Sequence, residues 1–321
     1  MEPKFSSDVA AIQSLQVKYE ALKAAIAQVV VGQKEVVDQL VIAILCNGHS
    51  LLVGVPGLAK TLLVNTLAEA MDLGFKRIQF TPDLMPGDIT GTEILDENRH
   101  FKFIKGPIFS NIILADEINR TPPKTQAALL EAMQERNVTV SGDNYALPKP
   151  FFVLATQNPI EQEGTYPLPE AQLDRFMFLI KVDYLNFDEE VQIVRQTTGN
   201  LKAEVPKVLD AEEIIYFQEL IRKVPVPDNV LHYAVKLAQS TRPAIEGNEI
   251  ATKYLAWGAG PRASQNLILA AKCHAVLHGK FSPDIEDVQA ISAAVLRHRI
   301  VLNYKAATEG LSVESIITML Q

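Results

Sequence analysis

Cysteine is scarce in this 321-residue chain, which holds only Cys46 and Cys273. Both lie in apolar stretches of helical spacing. Neither has a Cys or His at loop-type metal-ligand spacing, because Cys273, His274 and His278 lie along one predicted helix. That excludes a disulfide framework and favours core packing over a structural zinc site, with two buried reduced thiols as the expectation. Positive charge is also in deficit, with 30 Lys and Arg against 38 Asp and Glu and a net charge of −8. A broad phosphate-gripping surface normally needs the opposite balance, so nucleic acid is not the expected partner. Residues 39–59 contain no Asp, Glu, Lys or Arg. However, Asn47-Gly48-His49-Ser50 and then Gly54, Pro56 and Gly57 break the run into helix, turn, strand and loop, so no membrane span is expected. The first eight residues show no apolar run behind a basic start, so no secretory leader is expected and the cytoplasm is the expected compartment.

What is present is a 48% hydrophobic, 21% charged composition, too apolar for disorder and long enough for two domains with sizeable cores. Apolar positions at helical spacing (Ile12, Leu15, Tyr19, Leu22, Ile26) predict a helix over 8–28, and a second follows over 35–46. Short apolar strands then alternate with helices. The strands are expected at 50–53, 77–80, 112–115, 151–156 and 176–182, with helices at 60–70 and 123–135. This is the α/β pattern of a five-stranded parallel sheet covered on both faces. Two hairpins are expected, one within the Gly- and Pro-punctuated stretch 85–104, the other pairing 137–140 with 145–147 around Ser141-Gly142-Asp143-Asn144. After Asp183 strand signals vanish and helices dominate, at 188–197, 211–223, 229–240, 263–278 and 285–298. The chain therefore divides into an N-terminal helix (1–28), an αβα core with two hairpin inserts (29–184) and an all-helical C-terminal domain (185–321).

The chemistry is concentrated at Gly54-Val55-Pro56-Gly57-Leu58-Ala59-Lys60-Thr61, the loop that joins the first strand to a helix. Such a loop aims backbone N–H groups at an anion, and the helix N-terminus adds roughly half a positive charge. Lys60 would reach the β- and γ-phosphates, and the Thr61 hydroxyl would coordinate Mg²⁺. The usual pattern has glycine before the lysine, where this chain has Ala59. The strand Asn111-Ile112-Ile113-Leu114-Ala115 ends in Asp116-Glu117. An acid there can hold Mg²⁺ through its water shell, the role given to Asp116, and Glu117 can polarise the attacking water as general base. The residues up to this point indicate hydrolysis of ATP or GTP.

These segments resemble the AAA+ ATPases, and in detail the MoxR family within them. Similar too are Asp116-Glu117-Ile118-Asn119-Arg120, Ala155-Thr156-Gln157-Asn158-Pro159, Leu173-Asp174-Arg175-Phe176 and Gly260-Pro261-Arg262-Ala263, so the likeness spans roughly residues 29–300. The resemblance implies ATP rather than GTP, held by residues 54–61 and the adjoining Leu62. It gives Val31, Gly32 and Gln33 to the adenine pocket, Asn158 to a γ-phosphate sensor, and Arg175 to an arginine finger reaching a neighbouring subunit. For Arg175 a salt bridge to Asp174 or Glu170 is the competing expectation. Arg262, opening a helix of the lid, takes the second sensor role, coupling phosphate contacts to lid rotation. Arg120 and Glu131 would touch a neighbour, and the hairpins would face a pore or a client. The implied assembly is a homo-oligomeric ring, a hexamer by family expectation. Its implied work is to remodel a protein client, with von Willebrand factor A domain proteins as candidates. A DNA-acting motor or loader is the alternative. Against it stand the net charge and the mixed charges of the first hairpin (Glu93, Asp96, Glu97, Arg99, Lys102, Lys105).

Overall fold

The computed structural model describes residues 5, 7–95, 97, 99–160, 164–198, 204–245 and 248–321. Asp96, one of the first hairpin's charges, lies outside them. Helix α1 (Asp8–Ala27) is capped by the Ser7 side chain, which accepts from the Ala10 N–H, and it buries Ile12, Leu15, Tyr19, Leu22 and Ile26. It is followed by α2 (Lys34–Leu45), β1 (Ser50–Val53), α3 (Lys60–Ala70), β2 (Phe75–Gln79), α4 (Pro86–Thr90), β3 (Gly91–Leu95), β4 (Phe101–Lys105) and β5 (Ile112–Asp116). A short 3₁₀ turn over Ile118–Arg120 leads to α5 (Pro123–Glu135), β6 (Asn137–Val140), β7 (Asp143–Ala146), β8 (Phe152–Gln157), α6 (Glu170–Leu173) and β9 (Phe178–Lys181).

Strands β2-β5-β8-β1-β9 form one five-stranded sheet, parallel throughout. Alternation along each strand splits its side chains between two covers. Leu52, Leu114, Leu154 and Ile180 meet Leu63, Val64 and Leu67 of α3. Leu51, Ile113, Val153 and Ala155 meet Leu129, Leu130 and Met133 of α5. Burial on both faces is why these strands read as unbroken apolar runs. Each hairpin is a separate two-stranded ribbon, β3 with β4 and β6 with β7. Phe103 of the first stacks on Tyr145 of the second with centroids 4.1 Å apart.

The remaining elements are α7 (Phe187–Thr197), α8 (Ala211–Lys223), α9 (Asp228–Ser240), α10 (Glu249–Tyr254), β10 (Leu255–Trp257), α11 (Pro261–Leu277), α12 (Ile285–Leu296), β11 (Val301–Leu302), α13 (Tyr304–Thr308) and α14 (Val313–Leu320). One apolar cluster runs unbroken from α3 through α1 and α2 into α8, α9, α11 and α12. Cys46 and Cys273 lie inside it, and the Cys46 thiol donates to the Leu269 carbonyl of α11 at 3.4 Å. A second tie is the buried Arg299, which donates to Asp174 Oδ1 at 2.7 Å and to the carbonyls of Asp174, Phe176 and Met177 at 3.0, 2.7 and 3.2 Å. Burial lowers its pKa to about 10 against the opposing pull of Asp174.

Three expectations need correction. The last strand starts at Phe178 rather than 176, because the Phe176 carbonyl is taken by Arg299 and His298 instead of the ladder. The second hairpin turns on two residues, not four. Ser141 (φ 52°) and Gly142 (φ 96°) are both left-handed, so Asp143 is already paired with Val140. The C-terminal region is helical but carries one antiparallel ribbon, β10 with β11, which supplies the only strands past Asp183 among the described residues.

Candidate active site

The loop 54–59 leaves β1 at the C-terminal edge of the sheet and enters α3. A Cβ on Gly54 would lie 2.5 Å from the Val182 carbonyl, so the close approach of two backbones requires glycine there. Gly57 is left-handed, and so is Ala59, with φ 52° at the N-cap of α3. The alanine therefore adopts the conformation that glycine takes in the usual pattern, at a cost of about 1 kcal/mol. The Lys60 ammonium folds back onto the Gly54 carbonyl at 2.5 Å. Burial lowers its pKa, while Asp116 and Glu117 act in the opposite direction.

Period-2 alternation places Asp116, Thr156, Gln79 and Arg77 on the same face of the sheet, the face that carries α3. Thr156 Oγ1 donates to Asp116 Oδ1 at 2.6 Å and accepts the Glu117 N–H at 2.9 Å. Asp116 Oδ2 takes Arg77 Nε at 3.0 Å and Nη2 at 2.6 Å. Glu117 turns out of the strand with φ 58°, and its Oε2 accepts from Gln79 Nε2 at 3.0 Å and pairs with Arg120 Nε at 3.3 Å. A strained backbone at a charged cavity wall is a mark of functional sites. Asn158, just past β8, is buried and uses its Oδ1 to accept the Ile160 N–H at 3.1 Å, so the Nδ2 hydrogens are what it can offer an anion. Pro56, Gly57, Leu58, Ala59, Lys60, Thr61, Asp116, Glu117, Thr156 and Asn158 enclose a cavity of about 330 Å³. Its donors are hydroxyl and carboxylate oxygens facing one ammonium and a helix N-terminus, a set that suits a magnesium polyphosphate.

Gln33 joins this site from the side. Its Nε2 donates to the Leu58 carbonyl at 3.3 Å, and its Oε1 is buried without a partner among the described residues. Gly32 packs against Leu185 and Glu189, and Val31 is buried. Leu62 is half exposed on α3 and does not line the cavity.

Arg175 and Arg262 are not brought to this cavity. They line a different one, of about 180 Å³, together with His49, Met133 and Gln134. His49 precedes β1, its Nδ1 accepts the Val153 N–H at 3.0 Å, and its carbonyl accepts from Met177. This cavity is thus at the N-terminal edge of the sheet, separated from the loop by the length of β1, roughly 13 Å. Arg262 Nη1 pairs with Asp174 Oδ2 at 3.0 Å. Asp174 thereby serves Arg262 and Arg299, and the competing expectation of a bond from Arg175 to Asp174 or Glu170 is not met; the Arg175 guanidinium makes no hydrogen bond or ion pair among the described residues. Arg120 pairs with Glu117, within its own chain. Arg77, Gln79 and Thr156 were missed as site residues by sequence reasoning. Their chain distance from Asp116 conceals them, and only the parallel pairing of β2, β5 and β8 assembles them.

Comparison with known proteins agrees with this geometry. Residues 49–178 match the model of the ATPase family associated with various cellular activities (AAA), and residues 247–320 match an AAA lid domain. Chaperone MoxR1 of Mycobacterium tuberculosis is 44% identical over 292 residues, covering 90% of this chain and 77% of the relative. The uncharacterised protein YeaC of Bacillus subtilis is 43% identical over 294 residues, covering 90% of this chain and 89% of the relative. A crystal structure of a proposed ATPase from Cytophaga hutchinsonii superposes with a TM-score of 0.90 at 45% identity, covering 97% of this chain and 95% of that one.

Proposed function

The chain belongs to the MoxR family of AAA+ ATPases, and on that premise we propose that it hydrolyses magnesium ATP at the boundary between two copies of itself in a homo-oligomeric ring. The observation that carries this reading is the separation just described. Arg175 and Arg262 sit at the edge of the sheet opposite their own phosphate loop, with no phosphate within reach inside the chain. In a head-to-tail arrangement one copy's N-terminal sheet edge meets the next copy's loop, and two arginines then face the γ-phosphate.

Within one chain the roles divide as follows. Backbone N–H groups of residues 57–61 and the Lys60 ammonium receive the phosphates. Thr61 and Asp116 would hold magnesium, which when bound would supply positive charge beside the phosphate oxygens. Glu117, released from Gln79 and Arg120, accepts the proton of the attacking water, and Asn158 donates to that water or to the γ-phosphate. The unpartnered Gln33 Oε1 suits an amino group on the base, as adenine carries, with Val31 and Gly32 beside it in the chain.

The work of the cycle is exerted on a protein client, a von Willebrand factor A domain protein being a suitable class. The relative named a chaperone supports that reading, as do Leu95 (60% exposed) and Phe101 (73% exposed) at the outer end of the first hairpin. Mixing Arg175→Ala with Lys60→Ala tests the shared site. Each variant alone is inactive, and the mixture regains part of the activity at boundaries that pair an intact loop with an intact arginine. A mixture no more active than its components refutes catalysis across the boundary.

A further inference from the structure

The carboxylate assigned to magnesium is largely engaged by the protein itself. Asp116 is 15% exposed, and three of its four acceptor sites are taken: Oδ1 accepts the Thr156 hydroxyl, while Oδ2 accepts two N–H donors of Arg77. Charge-assisted bonds of this kind are short and about twice as strong as neutral ones. Arg77 comes from β2, the edge strand. Gln79 stands opposite Asp116 in register, and Arg77, two residues earlier on the same face, reaches it diagonally. The guanidinium is itself held in place, because its Nη2 also donates to Gln79 Oε1. Asp116 is the only carboxylate it pairs with among the described residues.

Two consequences follow from the chemistry of the groups. A magnesium ion keeps several waters, and those waters need carboxylate oxygens as acceptors; the guanidinium occupies both sites of Oδ2. The guanidinium also places a fixed positive charge where a divalent cation must approach. We infer that Arg77 gates the metal site: magnesium and the Arg77 guanidinium compete for Asp116, and the ion pair between strands β2 and β5 must open before the metal shell can close on the carboxylate. The inference rests on the reading of Asp116 as the residue that holds magnesium.

The competition is measured on the full chain by titrating magnesium at fixed fluorescent ADP and recording the midpoint of nucleotide binding, with Mn²⁺ binding to the same complex followed by electron paramagnetic resonance. Arg77→Met keeps the aliphatic stem and removes the charge, and it is expected to lower the magnesium midpoint about three- to tenfold and to tighten Mn²⁺ equally. Arg77→Lys retains the charge but loses the second donor, and is expected to fall between the two. Asp116→Asn is the reference and is expected to raise the midpoint. A midpoint for Arg77→Met equal to or above that of the unaltered chain overturns the gate, provided Asp116→Asn shifts as expected. If Asp116→Asn leaves the midpoint where it was, the underlying reading of Asp116 falls and the gate with it. A merely structural role for Arg77 would lower the melting temperature of both Arg77 variants without moving either metal midpoint, and that outcome also refutes the gate.

Discussion

In the cavity at the C-terminal edge of the sheet Lys60, Asp116 and Glu117 are each bound to another group of the chain, whereas in the cavity at the N-terminal edge one arginine has no partner among the described residues and another has one. Lys60 rests on the Gly54 carbonyl, Asp116 on Arg77 and Thr156, and Glu117 on Gln79 and Arg120. Among the described residues Arg175 lines its cavity without a bond, and Arg262 is anchored only by Asp174. On the proposed reading, the first edge is a self-sufficient binding site and the second is a donor set whose acceptor lies on a neighbouring copy.

The largest effect should come from breaking the self-sufficient edge. Lys60→Ala removes the only ammonium of the phosphate cavity and should abolish nucleotide binding, read by equilibrium titration. Glu117→Gln should leave binding intact and slow hydrolysis by about 10²–10⁴, the range for loss of a general base. Equal binding losses in both would erase the division of roles. Next in size, Arg175→Ala should leave nucleotide affinity within about twofold and lower hydrolysis by about 10³ or more, as expected for an arginine supplied in trans. A matching loss of affinity at low protein concentration would place that arginine in its own chain's site and dissolve the comparison.

A smaller effect separates the edges by pH. His49 and His298 both lie beside the N-terminal edge, buried and neutral; burial, reinforced by Arg136, lowers His49 to about 3, and burial also puts His298 well below its ordinary value. Their folded values lie below the unfolded value near 6.5, so their contribution is complete above that pH and is lost progressively as pH falls below it. Each should add about 1.4 kcal/mol per pH unit to the loss below about 6.5. Denaturant unfolding at pH 7.5 and 5.5 should show it, and His49→Gln should flatten the slope by one proton. The smallest effect is at Ala59. Replacing it with glycine should raise stability by about 0.5–1 kcal/mol by relieving the left-handed alanine, visible as a higher melting temperature.

Much of the first edge was legible in the sequence because its chemistry is contiguous. Residues 54–61 and Asp116-Glu117 each follow a strand, and a strand end is readable from apolar runs. Arg77 and Thr156 were not, since nothing in Phe75-Lys76-Arg77-Ile78-Gln79 says which strand will lie beside it. The sheet and the long helices α3, α5 and α8 were placed to the residue or nearly so. Helices α10, α13 and α14, of 6, 5 and 8 residues, were missed because so few turns carry no readable periodicity. Arg175 and Arg262 were found by resemblance, but their shared cavity depends on how α11 packs, which no local pattern records.

The scarcity of cysteine acquires a use once the fold is known. Cys46 ends α2 and Cys273 lies in α11, and burial with the neighbouring thiol holds Cys273 far above its ordinary pKa. A thiol that is both covered and protonated does not react. Alkylation by a small reagent therefore acts as a stopwatch for separation of the helical region from the sheet, recorded in the unaltered chain with no engineered label.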